Sequence, residues 1–408
     1  MSDDSLEQKI KALCKRDEKY IDILANILSV DERHEDNEFG WTFADVRGWG
    51  GGHVGTLLQE GIIKYGYKSS NEKNFKLVCS RDELARVLGE IKPVEAPVSV
   101  EPVVNPDLIQ KFEGLVSAGT DMVEYWTDWV NPKVEGLEHI KKAILLCVAS
   151  HGDKFGDRGR VHLLMHGDPG SAKSVLKDWV VYQLDAESCS QRTTKVGLTG
   201  SATGEQITPG ALPRADGKVL CIDELDKFNQ SDRQGLLEAM EEGVINIEAG
   251  GMSARMKAET RIIACANRLD NFSPELLDRF DFNILTKAPT GEQEKKVICS
   301  IIDHWFESKD GYDGRELKAY IEWVKSFEPV IPANVREKMK VLISMYIDLD
   351  ESIRGSTRRK ESILRVTFTI AKLNRRDVVV DDVLTAMKIL NPNLNGGKIT
   401  ALEQLARM

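Results

Sequence analysis

The sequence predicts an α/β fold, a parallel sheet with flanking helices, followed by an all-helical region and preceded by a small α+β domain. Three observations carry that prediction. The run VHLLM, 161–165, is apolar and leads into Gly167, Asp168, Pro169, Gly170, Ser171, Ala172, Lys173 and Ser174, then into a helix-compatible stretch: strand, loop, helix. KVLCIDELDKF and RIIACAN are further apolar runs that end in polar residues, as strands buried in a parallel sheet do. From Gln293 onward the apolar residues recur at helical spacing.

Composition bounds the function classes. At 408 residues the chain has room for two or three domains. No apolar run reaches the length of a membrane span, and the start, MSDDSLEQKIKALCKRDEK, lacks the apolar region of a secretory signal. The expectation is a cytoplasmic or nucleoid-associated protein, not a secreted one. Seven cysteines stand singly, with no CxxC spacing, so they read as reduced core residues and no zinc site is expected. A net charge of −10 confines any nucleic-acid contact to a local basic patch.

Residues 1–91 read as a winged-helix-like domain. Leu6 to Leu28 has apolar residues at helical spacing, for one or two helices. A short helix near Phe43–Arg47 and a second over Val54–Glu60 precede a hairpin with strands Ile62–Tyr67 and Phe75–Val78 and a wing over Ser69–Asn74. Lys64, Lys68, Lys73 and Lys76 make this hairpin locally basic, which suits phosphate contact without sequence reading. Use of the same domain for protein contacts is the alternative. Residues 92–130 are a Pro/Val-rich linker and a connecting helix, in which Trp126 and Trp129 read as packing residues.

An α/β core is expected over 131–288. A glycine-rich loop between strand and helix cradles phosphates with its backbone N–H groups, its lysine reaches the β/γ-phosphates and its hydroxyl holds Mg²⁺. Lys173 and Ser174 fill these places, although Ala172 stands where glycine usually precedes the lysine. Asp223 and Glu224 end an apolar strand, where one carboxylate can serve the metal and the other the attacking water. Asn267 ends the next strand, beyond which SPELLDRFDF carries Arg279. Phosphate loop, acidic strand end, polar strand end and late arginine, in this order, make an AAA+ P-loop NTPase core, with ATP and Mg²⁺ as its cofactors.

The motifs GDPGSAKS, CIDELDKF with DRQGLLEAMEEG, ACAN, LLDRFDF and STRRKESILR with NRRDVVVDDVLTAMKIL resemble the minichromosome maintenance (MCM) family of replicative helicases, over roughly Asn131 to Leu390. The resemblance implies Val134 and Gly136 as nucleotide contacts, Asn267 as the residue that orients the lytic water, and Arg279 as an arginine finger acting across a subunit boundary. A second sensor arginine is implied at Arg358, with Arg359 as the alternative, brought to the phosphates by a helical lid over 289–408. It also implies a projecting hairpin within 193–218, here short, and a second one over VINIEAGGMSARMKAE. The family's DNA-tracking lysine aligns with Ala249, leaving Arg255 and Lys257 nearby.

What the resemblance implies is an ATP-hydrolysing motor that unwinds or translocates on DNA in replication, self-associated as a ring or spiral, with a hexamer expected, and without membrane or zinc. Two other uses of the same ATPase remain open: a protein remodeller or loader, and a nucleotide-switched assembly without helicase activity.

Overall fold

The computed structural model describes residues 4–17, 19–33, 40–42, 46, 51–68, 73–91, 105–153, 158–190, 193–203, 206–249, 252–305, 314–349, 356–392 and 396–407. Two compact units make up the chain. One comprises residues 1–100 with segments 199–210 and 244–257, the other 101–198, 211–243 and 258–408.

The first unit runs α1 (Asp4–Arg16), α2 (Lys19–Arg33), β1 (Trp41–Thr42), α3 (Gly51–Gln59), β2 (Ile63–Lys68), β3 (Lys73–Leu77) and α4 (Arg81–Ile91). The strands form an antiparallel sheet in the order β1-β3-β2. Ile10, Leu13, Ile23, Leu24 and Ile27, spaced for one face of each N-terminal helix, are buried with Trp41, Leu57, Phe75 and Leu84. Asp31 joins helix to sheet, accepting from Trp41 Nε1 and from Arg81 Nε, each at 2.9 Å. The expected second helix and hairpin are present. The expected helix at 43–47, the wing tip and most of the linker lie outside the described residues.

The larger unit opens with α5 (Pro106–Ser117), α6 (Met122–Thr127) and α7 (Glu138–Ala149). Asn105 and Asp121 cap the first two through their side chains. Trp126 is fully buried and packs against Phe112 and Tyr320, with ring centroids 6.0 and 5.0 Å apart; this aromatic cluster is a packing element, as expected of Trp126 and Trp129. Each such side chain contributes roughly 1.5–3 kcal/mol by leaving water.

Next come β4 (Leu163–Gly167), α8 (Lys173–Gln183), β5 (Glu187–Cys189) and α9 (Lys195–Thr199). In chain order the first hairpin follows, β6 (Gly200–Thr203) with β7 (Gln206–Pro209), which like the second hairpin is counted in the first unit; then come α10 (Ala211–Arg214), β8 (Val219–Ile222) and α11 (Gln230–Glu242) of the larger unit. The second hairpin, β9 (Val244–Ala249) with β10 (Met252–Lys257), leads into β11 (Arg261–Ala266), α12 (Pro274–Arg279) and β12 (Phe282–Thr286). Both hairpins stand where the sequence places them, and β6 packs against β9.

The sheet is parallel throughout, in the order β12-β4-β11-β8-β5. All of β8 and β11 is buried, which is why both read as unbroken apolar runs. One expectation is corrected here: Arg279 does not lie beyond the last core strand, because β12 follows it and pairs with β4. As an edge strand with exposed Asn283 and Leu285, β12 carries too weak an apolar pattern to be read.

Helices α13 (Glu292–Trp305), α14 (Arg315–Lys325), α15 (Ala333–Leu349), α16 (Thr357–Leu373), α17 (Val380–Leu390) and α18 (Gly396–Arg407) make up the all-helical region that the spacing from Gln293 onward predicts. A buried carboxylate ties α16 to the sheet. Asp281 accepts from Ser362 Oγ (2.6 Å), Arg365 Nε (2.9 Å), Arg158 Nη2 (3.2 Å) and the His162 N–H (2.8 Å). Burial alone would raise its pKa, but Arg158 and Arg365 outweigh it and hold the carboxyl well below its ordinary value.

Candidate nucleotide site

At the C-terminal ends of β4, β8 and β11 the structure opens a cavity of about 950 Å³, where open α/β sheets place their ligands. Ser174, Asp223, Glu224 and Asn267 line it together with the loop from Pro169 through Lys173, and Val134 and Gly136 close another side. Residues spread over more than 130 positions of sequence thus meet in one chamber. Gly167 and Asp168 are not brought into it. They form the root of the loop, where the Asp168 carboxylate accepts from the Ala288 N–H (3.1 Å) and both residues border a smaller second cavity. At Gly167, φ is 124° and a Cβ would stand 2.2 Å from the Thr286 carbonyl oxygen, so glycine is required by the approach of β12.

The loop is built for an anion. Ala172, the N-cap of α8, has φ 62°, makes no side-chain cap, and the first turn holds no acid, so the helix N-terminus keeps its donors for a ligand. Ala172 adopts the left-handed conformation that glycine supplies in the usual pattern, at a cost on the order of 1–2 kcal/mol. Lys173 Nζ donates to the carbonyls of Gly167 (2.9 Å) and Asp168 (2.7 Å) and to Ser171 Oγ (3.2 Å). Burial pulls its pKa down, so an arriving phosphate would relieve a partly desolvated ammonium.

On the acidic side, Asp223 Oδ1 accepts the Glu224 N–H at 3.0 Å. Glu224 has φ 52°, a second left-handed non-glycine residue facing the cavity, and its carboxylate pairs with Lys227. Backbone strain of this kind concentrates where geometry is set for a ligand. One functional neighbour escapes sequence reading. Lys177 Nζ lies 2.7 Å from Asp223 Oδ2 and 2.8 Å from Asp178 Oδ1. Burial works against its charge, but hydrogen bonds to Asp178 and Asp223 push its pKa up. Its spacing from Lys173, one helical turn, is visible in the sequence; its approach to a strand 46 residues away is not.

Arg279 and Arg358 do not line the cavity. Within this chain Arg358 stands away from the loop: its Nη2 sits 2.8 Å from Glu241 Oε1, and Nη1 is 3.5 Å from Asp278 Oδ2. Arg279 pairs with Glu241 and, at 3.2 Å, with Glu275. Burial and the neighbouring Arg358 bring the Arg279 pKa down to about 10. The helix N-cap Ser356 sets this geometry, accepting from the Arg359 N–H and donating to Asp278. It aims Arg358, rather than the exposed Arg359, at the shared carboxylate.

In the hairpins, Ala249 pairs with Met252 at the tip of β9–β10, while Arg255 opposite Asn246 and Lys257 opposite Val244 are exposed along β10. In the first unit, Lys64 lies opposite Lys76 and Lys68 opposite Lys73. Among the described residues no cluster of three or more His, Cys, Asp or Glu could hold a metal, and no helix is long and apolar enough to cross a membrane.

A five-stranded parallel sheet with a phosphate loop after β4, acidic residues after β8 and a helical lid defines a P-loop NTPase, a nucleotide-binding protein. Residues 109–305, just under half of the chain, match the MCM P-loop domain, and the similarity is consistent with a divergent member of that family. It is 28% identical over 297 residues to the minichromosome maintenance protein MCM of Saccharolobus solfataricus, covering 64% of this chain and 43% of that protein. It is 30% identical over 300 residues to the DNA replication licensing factor MCM7 of Arabidopsis thaliana, covering 64% and 42%. With the zygotic DNA replication licensing factor mcm3 of Xenopus tropicalis the identity is 27% over 334 residues, 74% of this chain and 39% of that protein. The chain therefore spans less than half the length of these relatives.

Proposed function

We propose that this protein is an ATP-hydrolysing motor that acts on DNA in replication and whose active sites are completed between subunits. The observation that carries this reading is the separation of two half-sites: the cavity holds the loop, both carboxylates and Asn267, while Arg279 and Arg358 stand together on Glu241, away from it.

The chemistry follows from the residues. The loop amides and the N-terminus of α8 take the phosphate oxygens, and Lys173 exchanges the carbonyls of Gly167 and Asp168 for the β/γ-phosphates. Val134 and Gly136 bound the side of the cavity that the base would occupy. Ser174 and Asp223, a hydroxyl and a carboxylate on one chamber, are the donor set that would hold a magnesium ion. When bound, the ion supplies charge neutralisation across the phosphates. Glu224 accepts the proton of the attacking water, which Asn267 orients. Arg279 and Arg358 of one subunit place guanidinium groups on the charge that develops at the γ-phosphate of the next, and a ring or spiral of subunits, as a hexamer, satisfies every interface.

DNA contact is supported by two features. Lys64 and Lys76, placed directly across an antiparallel pair, repel each other, a cost that an anionic partner removes, on the β2–β3 hairpin of what we read as a winged-helix domain. Arg255 and Lys257 give the second hairpin a basic strand in place of a basic tip. The domain reading is residues 1–91, the linker 92–130, the α/β core 131–288 and the lid 289–408. ATPase measured with and without single-stranded DNA, beside strand displacement, tests this function. Stimulated turnover with displacement is expected, and turnover indifferent to DNA would favour the protein remodeller.

A further inference from the structure

Lys177 is a cation with no part in the hydrolysis chemistry. It lies one turn beyond Lys173 on the same face of α8, with its side chain only 10% exposed. Its ammonium is fixed between Asp223 and Asp178, at 2.7 and 2.8 Å. The other oxygen of Asp223 is taken by the Glu224 N–H. The carboxylate expected to serve a divalent cation is therefore satisfied on both oxygens by the protein itself.

We propose that Lys177 is a built-in counter-ion for Asp223, which makes nucleotide binding at this site less dependent on magnesium. The proposal rests on the reading of Asp223 as the metal-side carboxylate of an ATP site. Two opposed effects of one fixed positive charge produce it. A dication arriving at Asp223 meets an ammonium already bound to that carboxylate, so its binding is weakened. The triphosphate, entering a chamber that holds Asp223 and Glu224 side by side, meets acids that are already partly neutralised, so metal-free binding is strengthened. Both effects are Coulombic, and both act in a partly buried site where screening by salt is weak. A brace that merely held α8 against β8 would change stability and leave the metal dependence alone.

The test is the ratio of two dissociation constants for ATP, measured with a fluorescent ATP analogue in excess EDTA and in saturating Mg²⁺ at one ionic strength. In the Lys177→Met variant, which keeps the buried stem and removes the charge, the ratio should rise at least about tenfold over wild type. Lys177→Arg, which keeps the charge, should leave it close to wild type. The Asp178→Asn variant is a second probe in case the buried methionine prevents folding: it leaves the ammonium to Asp223 alone, and the ratio should fall. Equal ratios in wild type, Lys177→Met and Asp178→Asn, with ATP bound by all, would overturn the counter-ion proposal by itself. Failure of the wild-type protein to bind ATP in either condition would instead overturn the nucleotide-site reading, and this inference with it.

Discussion

Arg279 at the end of α12 and Arg358 at the start of α16 close on one carboxylate, that of Glu241 on α11. Far apart in sequence, they present two guanidinium groups as one unit, and neither reaches the cavity of its own chain. Two like charges side by side are costly without an anion between them. Glu241 plays that part here, and a γ-phosphate presented by a neighbouring subunit would be a stronger claimant.

Nucleotide binding and hydrolysis should separate. Lys173→Ala removes the phosphate-facing ammonium and should weaken ATP binding at least about tenfold, the value of a charged hydrogen bond in a partly buried site. Glu224→Gln should keep the affinity and lose turnover, since the amide cannot take the proton of the attacking water. Calorimetry of both variants beside phosphate release checks this. Unchanged affinity in Lys173→Ala would remove the loop assignment.

Asp281 should be a stability residue rather than a catalytic one. Asp281→Asn leaves Arg158 and Arg365 buried without their anion, and the loss should be about 3–5 kcal/mol by chemical denaturation. The pH dependence follows from its depressed pKa. The contribution is complete above the unfolded value of 3.8 and is lost as pH falls below it toward the folded value. The melting temperature of wild type should thus drop below about pH 4 more steeply than that of Asp281→Asn. Parallel acid profiles would show that the network contributes nothing.

Replacement of Lys64, Lys68, Lys73 and Lys76 by glutamine should weaken DNA binding alike on all sequences. The slope of log affinity against log salt should fall by about 0.9 for each duplex phosphate that is no longer neutralised. Basal ATPase should be unchanged, because none of the four lines the nucleotide cavity. An unaltered slope would assign the first unit to protein contacts.

Much of the fold and site is legible in the sequence because the signals are local. The C-terminal helices follow from apolar spacing, and the two hairpins from the family resemblance of the stretches that hold them. The residues lining the cavity, from Lys173 to Asn267, follow from the order of motifs. What escapes depends on distance. β5 and β12 are edge strands of three and five residues, with half-exposed patterns that carry little periodicity. The Lys177–Asp223 pair and the shared Glu241 join elements that only the fold brings together. The direction of Arg358 is hidden for the same reason: its motif identifies the residue, while Ser356 and Asp278 decide where it points.

The central claim is that the active site is shared between subunits, and subunit mixing tests it most directly. Lys173→Ala and Arg279→Ala proteins should each lose turnover alone, the latter by a factor on the order of 10³ while still binding ATP. The same is expected of Arg358→Ala. Combined in varying ratios, with co-assembly verified, the Lys173 and Arg279 variants should recover part of the wild-type ATPase, because some interfaces then join an intact loop to an intact arginine. Absence of recovery at every ratio, in assemblies shown to contain both variants, would contradict the account.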